Sequence, residues 1–218
     1  MIAALYVDPD GVYSGLPDVD VWDEARDARL YGGPWPVVAH PPCARWSRLA
    51  GFTEHRFGLK RGEDGGCFEA ALHAVRSYGG VIEHPAYSDA WKAYGLPRPV
   101  VREGWTLTFN GGASCYVEQG RYGLPVKKAT WLYAYGVELI DLRWGYTRDA
   151  EGDPANQNEH GGIDGWRDLW EAPQEGSHPR ALGGAWRVNR RNGMRSITPP
   201  AFRDVLLAMA RSAQTVAA

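Results

Sequence analysis

The chain has 218 residues, of which 44% are hydrophobic and 23% charged, and a formal net charge of −2. That composition excludes a disordered chain and calls for a packed core in one substantial domain, or in one domain with an inserted lobe. A near-neutral balance excludes a globally basic nucleic-acid binder, so any basic surface must be local. Three cysteines, Cys43, Cys67 and Cys115, include no C-x-x-C pair. They argue against a disulfide framework or a Cys-rich zinc site and fit a reducing cytoplasm. Ten tryptophans exceed what a core of this size needs, and the surplus can line pockets for flat ligands. The opening residues, Met1 to Val7, lack a basic leader and are too short for a membrane span, so a cytoplasmic protein with no membrane partner is expected.

Taken in order, Ile2 to Val7 reads as a buried strand ending in the turn Asp8-Pro-Asp-Gly11. Trp22 to Tyr31 reads as a short helix with Arg26 and Arg29 on one side. Val37-Val38-Ala39 is a second buried strand, stopped by Pro41 and Pro42, which can donate to no ladder. The stiff loop presents Cys43 just past a strand's carboxyl end, where ligands of open α/β sheets bind. A small buried cysteine beside a proline turn and a positioned nucleophile are both compatible with this stretch. Ala44 to Gly51 reads as a helical turn, and residues 52 to 66 as a polar, Gly-rich loop.

Cys67 to Tyr78 has helical spacing, with Phe68, Ala71, Leu72 and Val75 on one face and Gly79-Gly80 at its end. Val81-Ile-Glu-His-Pro85 repeats the strand-then-proline pattern. A right-handed crossover makes it parallel and adjacent to the Val37 strand, with Cys43 and Glu83 emerging side by side. A short helix is expected near Ser88 to Tyr94, and a hairpin from Trp105–Phe109 and Ser114–Glu118 around Asn110-Gly-Gly112. Tyr122-Gly-Leu-Pro125 is a tight loop and Thr130 to Tyr135 an aromatic strand. The expectation is an α/β fold with a mostly parallel, Rossmann-like sheet over residues 1–136. A small irregular lobe over 137–195 and a closing helix over 196–218, capped by Thr198, complete it. The lobe's end is basic: Arg187, Arg190, Arg191 and Arg195 fall within nine residues and suit phosphate contacts.

His40-Pro-Pro-Cys43 with Ser47 and Ala50-Gly51, Glu83-His-Pro85, and Tyr122-Gly-Leu-Pro125 with Lys127 and Lys128 occur in an order that resembles the DNA cytosine-5 methyltransferase family. The first is similar to its Pro-Cys loop, the second to its Glu-Asn-Val element, and the third to its Tyr-Gly-Val-Pro-Gln-x-Arg-x-Arg element. Thr198-Pro-Pro200 is weakly similar to the family's closing helix. The look is that of a truncated, phage-type member in the cytoplasm of a bacterial host. The resemblance implies a methyltransferase-like fold, Cys43 and Glu83 as catalytic groups, and Pro42, His40, Ser47, His84 and Lys128 at the base. It implies Arg187, Arg190, Arg191, Arg195 and Lys127 on phosphates of double- or single-stranded DNA. S-adenosylmethionine would lie against Asp8, Asp10, Gly11 and Ser196. The family's Phe-x-Gly-x-Gly loop for that cofactor is missing, and His84 stands where the family has Asn.

The chemistry behind the resemblance is covalent catalysis. A thiolate adding to C6 of a pyrimidine makes C5 nucleophilic, and a carboxyl at N3 assists the addition. His40, Arg45 and Arg48 are the local cations that would give Cys43 thiolate character. The same adduct would also support hydroxymethyl transfer, deamination at C4 or removal of a C5 group. A zinc gathered by His40, Cys43, His84 and Cys67 matches no common zinc signature. A catalytically dead DNA-binding protein is the non-enzymatic reading.

Overall fold

A computed structural model describes residues 1–47, 50–58, 60–100, 103–124, 126–147 and 197–213. Its elements are β1 (Ile2–Leu5), β2 (Val19–Trp22), β3 (Val37–Ala39), α1 (Ala50–Phe57), α2 (Cys67–Tyr78), β4 (Gly80–Pro85), α3 (Asp89–Ala93), β5 (Thr106–Leu107), β6 (Gly112–Glu118), β7 (Ala129–Tyr135) and α4 (Pro200–Arg211). The seven strands form one sheet in the order β2-β1-β3-β4-β7-β6-β5. β2, β1, β3 and β4 pair in parallel, whereas β7 is antiparallel to both β4 and β6, and β5 is antiparallel to β6. Five of the seven strands therefore point the same way, an arrangement compatible with a Rossmann-like fold.

Residue parity along the strands divides the core into two layers. Leu5, Val37, Ala39, Ile82 and Tyr133 face the helices α2 and α3, against Phe68, Leu72, Val75 and Trp91. Ile2, Ala4, Val38, Val81, Leu132 and Ala134 face α4, against Phe202, Leu206, Leu207 and Met209. The parallel strands are apolar on both sides because helices cover both sides. The helix α2 has the bounds its spacing predicts, and Gly79 ends it at φ +75°.

Three local expectations are corrected. Trp22 to Tyr31 is not a helix. Val19 to Trp22 instead adds an edge strand to β1, and only Ala28–Leu30 turns, as a 3-10 helix. Arg26 and Arg29, whose spacing suggested a helix face, are held by Asp20 and Asp27, and Asp27 sits at φ 52°. The stretch expected to be loop from residue 52 instead carries most of α1 (Ala50–Phe57), a polar helix with little apolar periodicity to read. Thr198 does not cap α4. Pro199 occupies the cap position, Pro200 begins the helix, and Thr198 turns into the cleft described below. The irregular lobe is described only to residue 147. Among the described residues no helix is long and apolar enough to cross a membrane.

The close approach of β3 and β4 depends on Gly80. A Cβ there would lie 2.0 Å from the Val37 carbonyl oxygen, at a φ of +141° that side chains rarely adopt. Gly80→Ala is expected to destabilise the protein by about 3 kcal/mol or more, measured by urea denaturation. A loss below about 1 kcal/mol would mean that the two strands separate easily at this end.

Candidate active site

The strand order reverses direction at β1: its onward connection leads to β2 on one side, and the chain then returns to β3 on the other. Such a switch point opens a crevice at the strands' carboxyl ends. A cleft of about 530 Å³ lies there. Its walls come from Tyr6 to Asp8 and Gly11 to Tyr13 after β1, His40 to Cys43 after β3, Glu83 and Pro85 at the end of β4, Lys128 before β7, and Ile197 and Thr198 before α4. Tyr6, at φ 59°, turns the chain into this wall.

The register brings the central pair together. Val38 lies opposite Val81 and Ala39 opposite Ile82, so the next residues, His40 and Glu83, meet at the sheet edge on the α4 side. His40 Nδ1 lies 3.0 Å from Glu83 Oε2. The other carboxylate oxygen accepts from Gln119 Nε2 at 2.8 Å and from Thr130 Oγ1 at 3.3 Å, with Lys128 Nζ at 3.6 Å. Glu83 is 6% exposed. Burial by itself would raise its pKa, but the Lys128 ammonium, the His40 hydrogen bond and the nearby imidazoles outweigh it and hold the group well below the usual carboxylate range. Glu83 therefore rests as an ionised carboxylate.

Cys43 is half-buried in the same cleft, and its carbonyl accepts from the amides of Trp46 and Ser47. Burial pushes its thiol pKa up, and the Glu83 carboxylate pushes it further; its own backbone contact and Lys128 act the other way without prevailing. At rest the sulfur is a thiol. Of the cations expected to activate it, neither His40 nor Arg45 is among the groups that act on the thiol. His40 spends both ring nitrogens on Glu83 and, at 2.8 Å, on the Tyr13 hydroxyl. Arg45 buries one guanidinium nitrogen without a hydrogen-bond partner, and Arg48 lies outside the described residues.

Of the other residues singled out in the sequence, Pro42, Asp8, Gly11 and Lys128 line the cleft, while Ser47 and Asp10 do not. Lys127 is committed at 2.9 Å to buried Glu118 and lies 4.9 Å from the Tyr146 ring centre, an arrangement that fixes the loop rather than offering a free cation. Arg187, Arg190, Arg191, Arg195 and Ser196 lie outside the described residues. Among the described residues no three His, Cys, Asp or Glu side chains gather as a metal site.

His84 is not at the cleft. It follows Glu83 on β4, so it points to the opposite side of the sheet, fully buried with its ring 5.3 Å from Phe68 and 6.2 Å from Trp91. Neither ring nitrogen has a hydrogen bond of normal geometry. Sequence reasoning missed Tyr13, Gln119 and Thr130. Tyr13 and Gln119 carry no motif. Thr130 was read as the start of an aromatic strand and not as a site residue.

Burial drives the His84 pKa down from 6.5 to about 4, against the opposing pull of Glu83. The unfolded chain therefore binds a proton between those values that the folded protein refuses, and stability falls as pH drops from 6.5 to 4. The loss attributable to His84 is about 3 kcal/mol. His84→Leu should remove that share of the acid sensitivity in urea denaturation between these pH values. An unchanged slope would mean that the ring is paired or hydrated.

No family model matches the chain, and no curated protein matches it. The reading that follows therefore rests on the geometry of the cleft and on the motif resemblance.

Proposed function

We propose that the protein modifies C5 of a pyrimidine, in the manner of a DNA cytosine-5 methyltransferase, through a covalent adduct of Cys43 at C6 of a base flipped into the cleft. The observation that carries this reading is the sharing of one cleft by Cys43 and the buried, ionised Glu83 at the ends of adjacent parallel strands. A thiol and a carboxylate so placed can act on opposite parts of one flat ring. The sulfur adds to C6, the C5–C6 π pair shifts toward C4, and N3 takes up a proton at the carboxylate side. Lys128 keeps Glu83 ionised until the base arrives, and the base's own polar edge then replaces water around the carboxylate. The resting thiol is unreactive toward stray electrophiles and becomes a nucleophile only as its proton leaves.

The far wall suits a cationic electrophile. Asp8 offers a carboxylate to a cationic head, and Val7, Val12 and Ile197 offer apolar surface, a donor set that fits S-adenosylmethionine. Bound there, that group would supply a methyl to C5. The chain's own residues contribute the cleft, the orientation of the ring and the movement of protons. Asp10, also implied by the resemblance, does not line this wall, and Ser196 lies outside the described residues. Hydroxymethyl transfer, deamination or removal of a C5 group would use the same adduct with a different partner. DNA is proposed as the polymer, and flipping the base costs a few kcal/mol, least in single strands or at mismatches.

Hydrogen exchange at C5 tests the adduct without any cofactor. Once sulfur is bonded to C6, C5 takes a solvent deuteron, and loss of the original hydrogen with expulsion of sulfur returns a C5-deuterated base. Cytosine-containing single- and double-stranded DNA, and dCMP, incubated with the protein in deuterated water should gain this mass. Cys43→Ser should abolish the gain. Glu83→Gln should slow it by about 100-fold or more, with DNA affinity retained. Cys67→Ser and Cys115→Ser should leave it unchanged. Absence of exchange with every substrate, or exchange that survives Cys43→Ser, removes the reading.

The cofactor has its own test. Calorimetry with S-adenosylhomocysteine should show binding that Asp8→Ala weakens. No heat at millimolar ligand would discard methyl transfer in favour of another electrophile at the same adduct.

A further inference from the structure

Tyr13, His40 and Glu83 form a hydrogen-bonded line along the cleft that thiol addition alone does not call for. Tyr13 Oη lies 2.8 Å from His40 Nε2, and His40 Nδ1 lies 3.0 Å from Glu83 Oε2. The Tyr13 and His40 rings pack with centres 5.4 Å apart, and all three residues line the cleft. The charged and titratable groups facing this line come from every element around it. Lys128 approaches from the segment before β7, Cys43 from the loop of His40, and His84 from the far side of β4. Arg203 and Asp204 of α4 act on Tyr13. Gln119 and Thr130 add neutral donors.

The addition step has an unmet need. N3 must gain a proton as sulfur bonds to C6, yet Glu83 rests ionised and has none to give. Burial, with the Glu83 charge, keeps Tyr13 a neutral phenol, so the hydroxyl is not the source. The thiol proton leaves Cys43 on the other side of the ring. An imidazole bonded to the carboxylate by one nitrogen and to a phenol by the other can hold a proton and pass it on.

Resting on the function proposed above, we infer that His40 is the proton reserve of the site, sharing one proton with Glu83 and delivering it through the carboxyl group to N3 of the base. The balance is as follows. The Cys43 proton goes to solvent and sulfur bonds to C6. The C5–C6 pair moves to C4–C5, and the C4–N3 π pair takes the proton that passed from His40 Nδ1 to the Glu83 carboxylate. His40 is left neutral. Expulsion of sulfur returns the N3 proton along the same path. Tyr13 serves both states, because the proton left on neutral His40 after the Nδ1 proton has passed to Glu83 is the one on Nε2, and the hydroxyl oxygen accepts from Nε2–H before and after the transfer. His40 acts through Glu83 and is a positioning and proton-supplying residue, not one that touches the base.

The test is the pH profile of C5 exchange on single-stranded cytosine DNA, from about pH 5 to 10. In the wild-type protein the rate should pass through a maximum and fall on the alkaline side, because it needs Cys43 without its proton and the His40–Glu83 pair with its own. In His40→Asn the rate at the optimum should drop by about 100-fold and the alkaline fall should vanish, with DNA affinity and melting temperature near wild type. In Tyr13→Phe the fall should persist but the optimum should move to lower pH, because Nε2–H loses its acceptor. An alkaline fall unchanged in His40→Asn overturns the inference while wild-type exchange upholds the proposed function. If His40→Asn does not fold, an unshifted optimum in Tyr13→Phe overturns it instead. Absence of wild-type exchange defeats the function itself.

Discussion

A buried negative charge governs this structure. Glu83 sits at the end of a central strand, almost without solvent, and an unpaired carboxylate there would cost several kcal/mol. The protein meets that demand with donors from four places in the chain: His40 after β3, Gln119 after β6, Lys128 before β7 and Thr130 within β7. Each donor arrives because the sheet brings its segment to the same edge. The antiparallel insertion of β7 between β4 and β6 is what delivers Lys128 and Thr130 to a carboxylate on a parallel strand.

The same alternation that places Glu83 in the cleft removes His84 from it. Adjacent residues on a strand point to opposite faces, so one becomes the charged centre of the site and the other a neutral ring between Phe68 and Trp91. The two histidines of the region thus have opposite characters. His40 is fully engaged with polar partners, whereas His84 has none of normal geometry. α4 completes the arrangement from the other side. Phe202, Leu206 and Met209 fill the layer beneath the sheet, and Arg203 donates to the Val12 carbonyl, tying the wall after β1 to the helix that closes the chain.

Much of the central sheet was legible from local pattern. The apolar runs at residues 2, 37 and 81, the amphipathic face of α2, the glycines that end it and the β5–β6 turn all lie within a few residues of their causes. A right-handed crossover also made the adjacency of Cys43 and Glu83 readable. The edge strand β2 was not, because its four residues are half-buried and alternate too briefly, and Arg26 and Arg29 imitated a helix face. α1 escaped because its residues are mostly polar and leave little periodic signal.

The sequence by itself determined most of the elements and the two motifs at their ends, since strand propensity, proline stops and hydrophobic period act over short distances. Only the tertiary structure decided what those motif residues do. Whether Cys43 is thiol or thiolate, whether Glu83 is ionised, and whether His40 serves the sulfur or the carboxylate depend on burial and on partners distant in the chain, such as Thr130, 47 residues from Glu83. Charge and protonation are set by distances of a few ångströms in space, and no local pattern of residues encodes them.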